Sequence, residues 1–323
     1  MLMTPNDVSG LIKDNRLLHI AGAENALRQL PRGKWVGGST EYFVAHEGGR
    51  VSDELLFVTQ LTDVAKDFTV RAYTPDDISK VTGDAYDNGF SIVIVPFDSD
   101  VHKVYARNAA GFKGMFLKNI TGWVSGFNLN KPGQYPVTVN GITGEVYTDK
   151  AVALHVEVPD NKTAIVNIVN IFEQDESSPV IEFKDEGFEV TKCLVDGKEV
   201  MLADYIADNN INTELPLVGD YSGNGINISF KSIDEDGTVH FYAPVFTGIK
   251  YRIARSISDY KREFNTYASV SGDINAAFSC NCILNFLYGG LEGKTINSFK
   301  GPVTFGEIAY QLVNQTLVYV IVE

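Results

Sequence analysis

GPVTFGEIAYQLVNQTLVYVIVE, residues 301–323, joins a dense polar segment to a continuous apolar run. The run Leu317–Val322 is β-branched or aromatic with almost no alternation, which predicts a strand covered on both faces. Chain ends fray unless they are held, so we expect this strand to be paired inside a sheet. Polar side chains at the mouth of a buried strand need partners, either backbone groups or a ligand. The candidates for the wall of a binding site are Thr304, Glu307, Tyr310, Asn314 and Gln315.

Strand-like segments joined by tight turns alternate with short helical segments along most of the chain. Residues 100–110 are expected to form a helix. Three dipeptides accept positive φ and predict hairpins: Asn140-Gly141, Asp196-Gly197 and Asp236-Gly237. Helices mixed with many hairpins predict an α+β fold with mixed, largely antiparallel sheets.

The length of 323 residues predicts two domains, because a domain takes roughly 150 residues. The acidic segment at residues 173–178 is the candidate linker between them. We therefore expect one sub-domain over residues 1–178 and a second over residues 189–323, with an interface that the two share.

The charge of the chain excludes two classes of partner. There are 27 Lys and Arg residues against 41 Asp and Glu, a net charge of −14, and no basic run forms a patch. Such a surface repels phosphate backbones and anionic lipids, so we expect neither nucleic acid nor a membrane as a partner. The N-terminus has no signal-peptide pattern and the three cysteines are poorly spaced for disulfides, so a cytoplasmic location is expected.

The histidines give no sign of a metal site, because the five of them are far apart in sequence. We expect no metal and no cofactor. Residues 152–158 alternate with period two, which predicts one buried face and places His155 on the outward face.

Cys280 is the one candidate for a nucleophile. A strand over residues 276–279 should deliver it close to the start of a helix, where the partial positive charge lowers the pKa of a thiol. The alternative is a small apolar residue packed in a core, and no base lies nearby in sequence. The sequence therefore assigns no catalytic residue, unless the protein is an enzyme and uses Cys280.

The C-terminal half resembles the FIST C-terminal domain. Phe305-Gly306-Glu307-Ile308, then Asn314-Gln315-Thr316 and a final strand, are similar to the G-E-I, N-Q-T and strand that close that family, and Phe278-Ser279-Cys280 is similar to its strand ending in Cys. Upstream elements follow the family's order: Val195-Asp196-Gly197-Lys198, Leu215-Pro216-Leu217 and Phe246-Thr247-Gly248. The likeness covers about residues 189–323. Family members usually follow the cysteine with Gly-Arg, where this chain has Asn281-Cys282.

The resemblance implies an intracellular sensory module for a small ligand, with amino acids or a related polar metabolite as candidates, and a signalling protein as a partner. We expect the ligand between the two halves, since domain interfaces favour such pockets. Cys280 joins the polar wall, and Trp35 or Trp123 is expected to supply an apolar face. A homodimer is compatible with the sequence. The alternatives are a cysteine-dependent enzyme acting on a small metabolite and a structural or assembly protein without a ligand.

Overall fold

A computed structural model describes residues 1–221, 223–270, 275–295 and 299–323, with the side chains of residues 267–270 excepted. The chain is 18% helical and 41% strand, which confirms the α+β class. In chain order the helices are α1 (Pro5–Lys13), α2 (Glu24–Leu27), α3 (Val81–Asp84), α4 (Asp100–Asn108), α5 (Leu202–Asp208), α6 (Tyr260–Val270) and α7 (Ile283–Tyr288). Among the described residues no helix is long and apolar enough to cross a membrane.

The strands up to residue 169 are β1 (Leu2–Met3), β2 (Leu18–Gly22), β3 (Trp35–Ser39), β4 (Tyr42–Ala45), β5 (Gly48–Val51), β6 (Leu56–Gln60), β7 (Asp67–Tyr73), β8 (Gly89–Pro96), β9 (Ile120–Ser125), β10 (Thr138–Asn140), β11 (Glu145–Tyr147), β12 (Ala151–Glu157) and β13 (Ala164–Val169). Those that follow are β14 (Ile181–Glu182), β15 (Gly187–Val190), β16 (Lys192–Val195), β17 (Lys198–Met201), β18 (Leu217–Tyr221), β19 (Asn224–Ile228), β20 (Phe230–Ile233), β21 (Val239–Val245), β22 (Lys250–Ile253), β23 (Phe278–Cys282), β24 (Gly301–Thr304), β25 (Glu307–Ala309), β26 (Gln311–Val313) and β27 (Leu317–Val322).

These strands form five sheets. Their strand orders are β1-β6-β2-β3-β10-β11 in sheet I, β26-β25-β9-β8-β12-β7 in sheet II, β13-β27-β23-β24-β4-β5 in sheet III, β17-β16-β14-β22-β18-β19 in sheet IV and β15-β21-β20 in sheet V. Antiparallel pairing dominates, and the parallel neighbours are β2 with β3, β8 with β9 and β23 with β24. All three predicted hairpins form, as β10–β11, β16–β17 and β20–β21.

The terminal strand lies in the interior of its sheet, as the sequence predicts. β27 pairs antiparallel with β13 on one side and with β23 on the other, where Val318 is opposite Cys280. Burial from both faces explains why its first four residues are apolar without alternation. The predicted helix at residues 100–110 also forms: Ser99 caps α4 by accepting from the amide of His102, and a short 3-10 turn, Ala109–Gly111, continues it.

Sheets cross the predicted boundary between residues 178 and 189. β25 pairs with β9, β24 pairs with β4, and β27 pairs with β13, so residues 301–322 complete sheets begun by the N-terminal half. The segment with sheets of its own, IV and V, spans residues 181–253. Within the second expected sub-domain, residues 181–253 therefore have sheets of their own, whereas residues 301–322 belong to sheets II and III.

His155 is fully buried, so the expectation of an outward His155 face is wrong. β12 lies between β7 and β8 inside sheet II, and both of its faces are covered. The ring nitrogens hydrogen bond with the hydroxyls of Tyr73 (2.8 Å) and Ser91 (2.7 Å). Burial lowers the pKa of His155 to about 4, so the ring is neutral near pH 7.

Candidate functional site

Glu307 is the centre of a buried polar cluster at the start of β25. Its side chain is fully buried, and Oε2 accepts from the Thr316 hydroxyl at 2.7 Å and from the Thr316 amide at 3.2 Å. Oε1 lies 3.2 Å from the Thr304 hydroxyl, and the Cys282 thiol is close enough to influence the pKa of the carboxyl group. We call Thr304, Glu307, Thr316 and Cys282 the Glu307 cluster. The Glu307 carboxyl group is thus satisfied by neighbouring side chains and backbone.

The Glu307 carboxyl group holds a proton at neutral pH. Burial raises its pKa to about 8, and the hydrogen bonds from Thr316 only partly oppose this shift. The geometry of Thr304 agrees, because its single hydroxyl proton has two acceptors within 3.2 Å, Asn281 O and Glu307 Oε1. A protonated Oε1 can donate to Thr304 while Thr304 donates to Asn281 O.

Cys280 lies in the middle of β23, and its expected position near a helix start is wrong. Cys282, two residues on, is the residue that precedes α7. Both side chains are about 1% exposed, and the Cys280 thiol donates to Gly122 O at 3.5 Å. Burial raises the pKa of both thiols well above the usual value, with Glu307 as a further cause. Burial outweighs any helix effect, so neither cysteine has the lowered pKa expected of a nucleophile.

Asn314 and Gln315 attach the terminal segment to sheets IV and V. Gln315 Oε1 accepts from the Ser229 hydroxyl at 2.7 Å, and its Nε2 donates to Glu214 O at 3.0 Å. Asn227 Nδ2 donates to Asn314 O at 3.1 Å. The Asn314 amide is 1% exposed, and its side-chain atoms hydrogen bond with nothing in the described part of the chain. Both residues are therefore buried and connect two parts of the fold through hydrogen bonds.

A cleft of about 790 Å³ lies next to these hydrogen bonds. One wall comes from the end of α4, β13 and the β25–β26 hairpin, and the other comes from β19 and the loop at residues 246–249. Of the predicted wall residues, Tyr310 lines the cleft, and the neighbouring Thr316 connects it to the Glu307 cluster. The cleft lies between residues 181–253 and the rest of the chain, whereas the ligand was expected between residues 1–178 and residues 189–323.

The match to a protein family covers almost the whole chain, residues 3–323. The chain belongs to DUF6976. This is a family of unknown function, so the match names neither a ligand nor a reaction. Comparison with curated proteins gave no match, and comparison with solved structures gave none either. The resemblance of this DUF6976 protein to FIST domains stays a prediction.

Neither tryptophan of the DUF6976 chain supplies the expected apolar face, because both are needed in separate cores. Trp123 is fully buried, and its Nε1 donates to His19 Nε2 at 2.9 Å. Trp35 is 2% exposed, packs under α1 and α2, and donates to Pro31 O at 2.9 Å. Tyr310 and Phe116 form the aromatic wall of the cleft instead, with ring centroids 5.8 Å apart.

Two charged residues of the cleft, Arg107 and Glu186, could not be recognised from the sequence. Arg107 lies in the last turn of α4, and Glu186 immediately precedes β15. They are 79 positions apart in sequence, and only the packing of sheet V against α4 brings both to the cleft.

A second, smaller cleft of about 440 Å³ lies at the carboxyl ends of β3 and β9. Its charged groups are paired: Lys131 Nζ donates to Glu41 at 2.9 Å and to Asp53 at 2.7 Å, and Glu41 also accepts from Asn128 and Gln134. In the described part of the chain, no group of three or more His, Cys, Asp and Glu side chains is placed to hold a metal ion.

Proposed function

We propose that this protein binds a small metabolite in the cleft between residues 181–253 and the rest of the chain. The observation that carries the proposal is the cleft itself, which has the volume of a small-molecule site and a largely apolar wall with a few polar groups. The FIST resemblance suggests a sensory role, with amino acids or a related polar metabolite as ligands and a signalling protein as the partner that reads the bound state.

The two other hypotheses have less support. A cysteine-dependent enzyme needs an accessible thiolate, whereas the Cys280 thiol is buried and its pKa is raised. A purely structural role agrees with the internal hydrogen bonds of the Glu307 cluster, but it leaves the open cleft without a purpose.

Two isoleucines on β13 allow a matched test. Ile168 is 46% exposed and lines the cleft, while Ile165 is 39% exposed and lies outside it. We expect Ile168→Trp to fill the cleft and abolish the thermal shift of any hit from a screen of amino acids and small organic acids, with Ile165→Trp behaving as wild type. Retention of the hit by Ile168→Trp would refute the proposal.

A further inference from the structure

Arg107 and Glu186 give the cleft a cation and an anion that form no ion pair with any described side chain. Arg28 and Arg255, by contrast, form ion pairs with nearby glutamates. An unpaired cation beside a mainly apolar wall is a ready partner for an anionic group of a ligand.

The Arg107 guanidinium contacts an aromatic ring, and none of its hydrogen-bond donors has an acceptor in the described part of the chain. The guanidinium carbon lies over the ring of Phe188, 5.7 Å from its centroid. A Cβ added to Gly187 would lie 3.8 Å from Nη2, so the guanidinium lies near the residue that follows Glu186. This cation–π contact favours one position of the guanidinium. Its N–H groups have no acceptor among the described side chains, so they are available to bind a carboxylate with two hydrogen bonds.

Glu186 sets a limit on the charge of the ligand. Its Oε1 accepts from the Thr247 hydroxyl at 2.7 Å and from the Thr247 amide at 3.2 Å, which favours the ionised form. A second anionic group on the ligand would be repelled by this carboxylate. The protein as a whole, at −14, also repels anions, so binding of one depends on a local cation.

The rest of the cleft suits an apolar body. Phe116, Ile168, Ile226, Ile249 and Val313 line it. We infer that the cleft binds a monoanionic organic acid, with its carboxylate on Arg107 and its apolar body against these side chains. This inference rests on the proposed function and names the chemical class of its ligand.

Isothermal titration with octanoate, octanol and octylamine tests the inference, because the three probes share one apolar chain. Octanoate should bind wild type most tightly, and Arg107→Gln should weaken it by about tenfold or more, the usual effect of losing a hydrogen bond to a charged group. Octanol should bind Arg107→Gln and wild type equally. Lys103→Gln, on the same helix but outside the cleft, should change none of the affinities.

Suberate adds a second carboxylate to the same chain length. Suberate should bind wild type more weakly than octanoate does. The difference between the two affinities should be smaller for Glu186→Gln.

The outcomes separate the inference from the proposed function. If octanoate binds Arg107→Gln as tightly as wild type while Ile168→Trp still blocks it, the inference is wrong and the cleft remains a binding site. If wild type does not bind octanoate, the inference is also wrong. Octanoate binding that survives both Arg107→Gln and Ile168→Trp would overturn both.

Discussion

The Glu307 cluster and the cleft lie on either side of Thr316, and they use polar side chains in opposite ways. In the cluster the carboxyl group is fully buried, neutral, and hydrogen bonded to Thr304 and Thr316. In the cleft Arg107 and Glu186 are exposed to solvent and have no charged partner among the described side chains. The densest polar stretch of the sequence therefore supports the fold, while the charged groups that line the cleft come from separate segments.

The largest expected effect concerns the cysteines of the buried side. Cys280 and Cys282 should react with iodoacetamide at least about a thousandfold more slowly in the native protein than in the unfolded one, because reaction requires opening of a stable core. Mass spectrometry after timed alkylation measures both rates. An exposed cysteine introduced as Ser256→Cys serves as the reactive control. Rapid alkylation of native Cys280 would show that the thiol is accessible and would contradict its assignment to the buried core.

The second effect is the pH dependence caused by Glu307. Its pKa is raised from 4.5 to about 8 on folding, so the folded state binds more protons within that range and stability falls as pH rises through it. Relative to Glu307→Gln, wild type should lose on the order of 5 kcal/mol of unfolding free energy as the pH rises from below 4.5 to above about 8. Urea unfolding of both proteins at several pH values gives the difference.

Subtraction of the Glu307→Gln curve is needed because buried histidines act in the opposite sense. Burial lowers the pKa of His102 and His155 from 6.5 to about 4, so their contribution to stability increases as pH rises over that interval. Glu54→Gln, at an exposed carboxylate, serves as the control for removal of one negative charge. Parallel profiles for wild type and Glu307→Gln would show that Glu307 is ionised in the folded protein.

The smallest effect is expected at Thr316, the residue between the cluster and the cleft. Thr316→Val keeps the β-branched shape but removes the donor 2.7 Å from Glu307, and should cost about 1–3 kcal/mol. Chemical denaturation measures the loss. The same change at exposed Thr163 should stay within about 0.5 kcal/mol of wild type. Equal stability of the two variants would mean that the Thr316 hydroxyl contributes nothing to the cluster.

Local sequence patterns correctly predicted those structural features that depend only on residues close together in the chain. The apolar run of β27 and the turn dipeptide Asp196-Gly197, whose φ values are +47° and +80°, were sufficient to predict a covered strand and a hairpin. The predicted outward position of His155 was wrong because its neighbours in sheet II, β7 and β8, come from residues about 60 or more positions away. The alternation of apolar and polar residues in one strand does not show whether segments distant in sequence bury its polar face.

The candidate site followed the same rule. Tyr310 could be predicted because it lies in the polar stretch next to the terminal strand, and it does line the cleft. Trp123 was expected there too, but it pairs with His19 in a core formed by three sheets. Arg107 and Glu186 could not be found from the sequence, since nothing near either residue in the chain indicates that α4 packs against sheet V.

The most direct test of the comparison is a binding measurement with three proteins: wild type, Ile168→Trp and Glu307→Gln. Titration with the strongest hit of the amino acid and organic acid screen should show unchanged affinity for Glu307→Gln, because glutamine resembles the protonated carboxyl group, and no binding for Ile168→Trp. Loss of binding in folded Glu307→Gln together with normal binding by Ile168→Trp would place the ligand in the buried cluster and contradict the account.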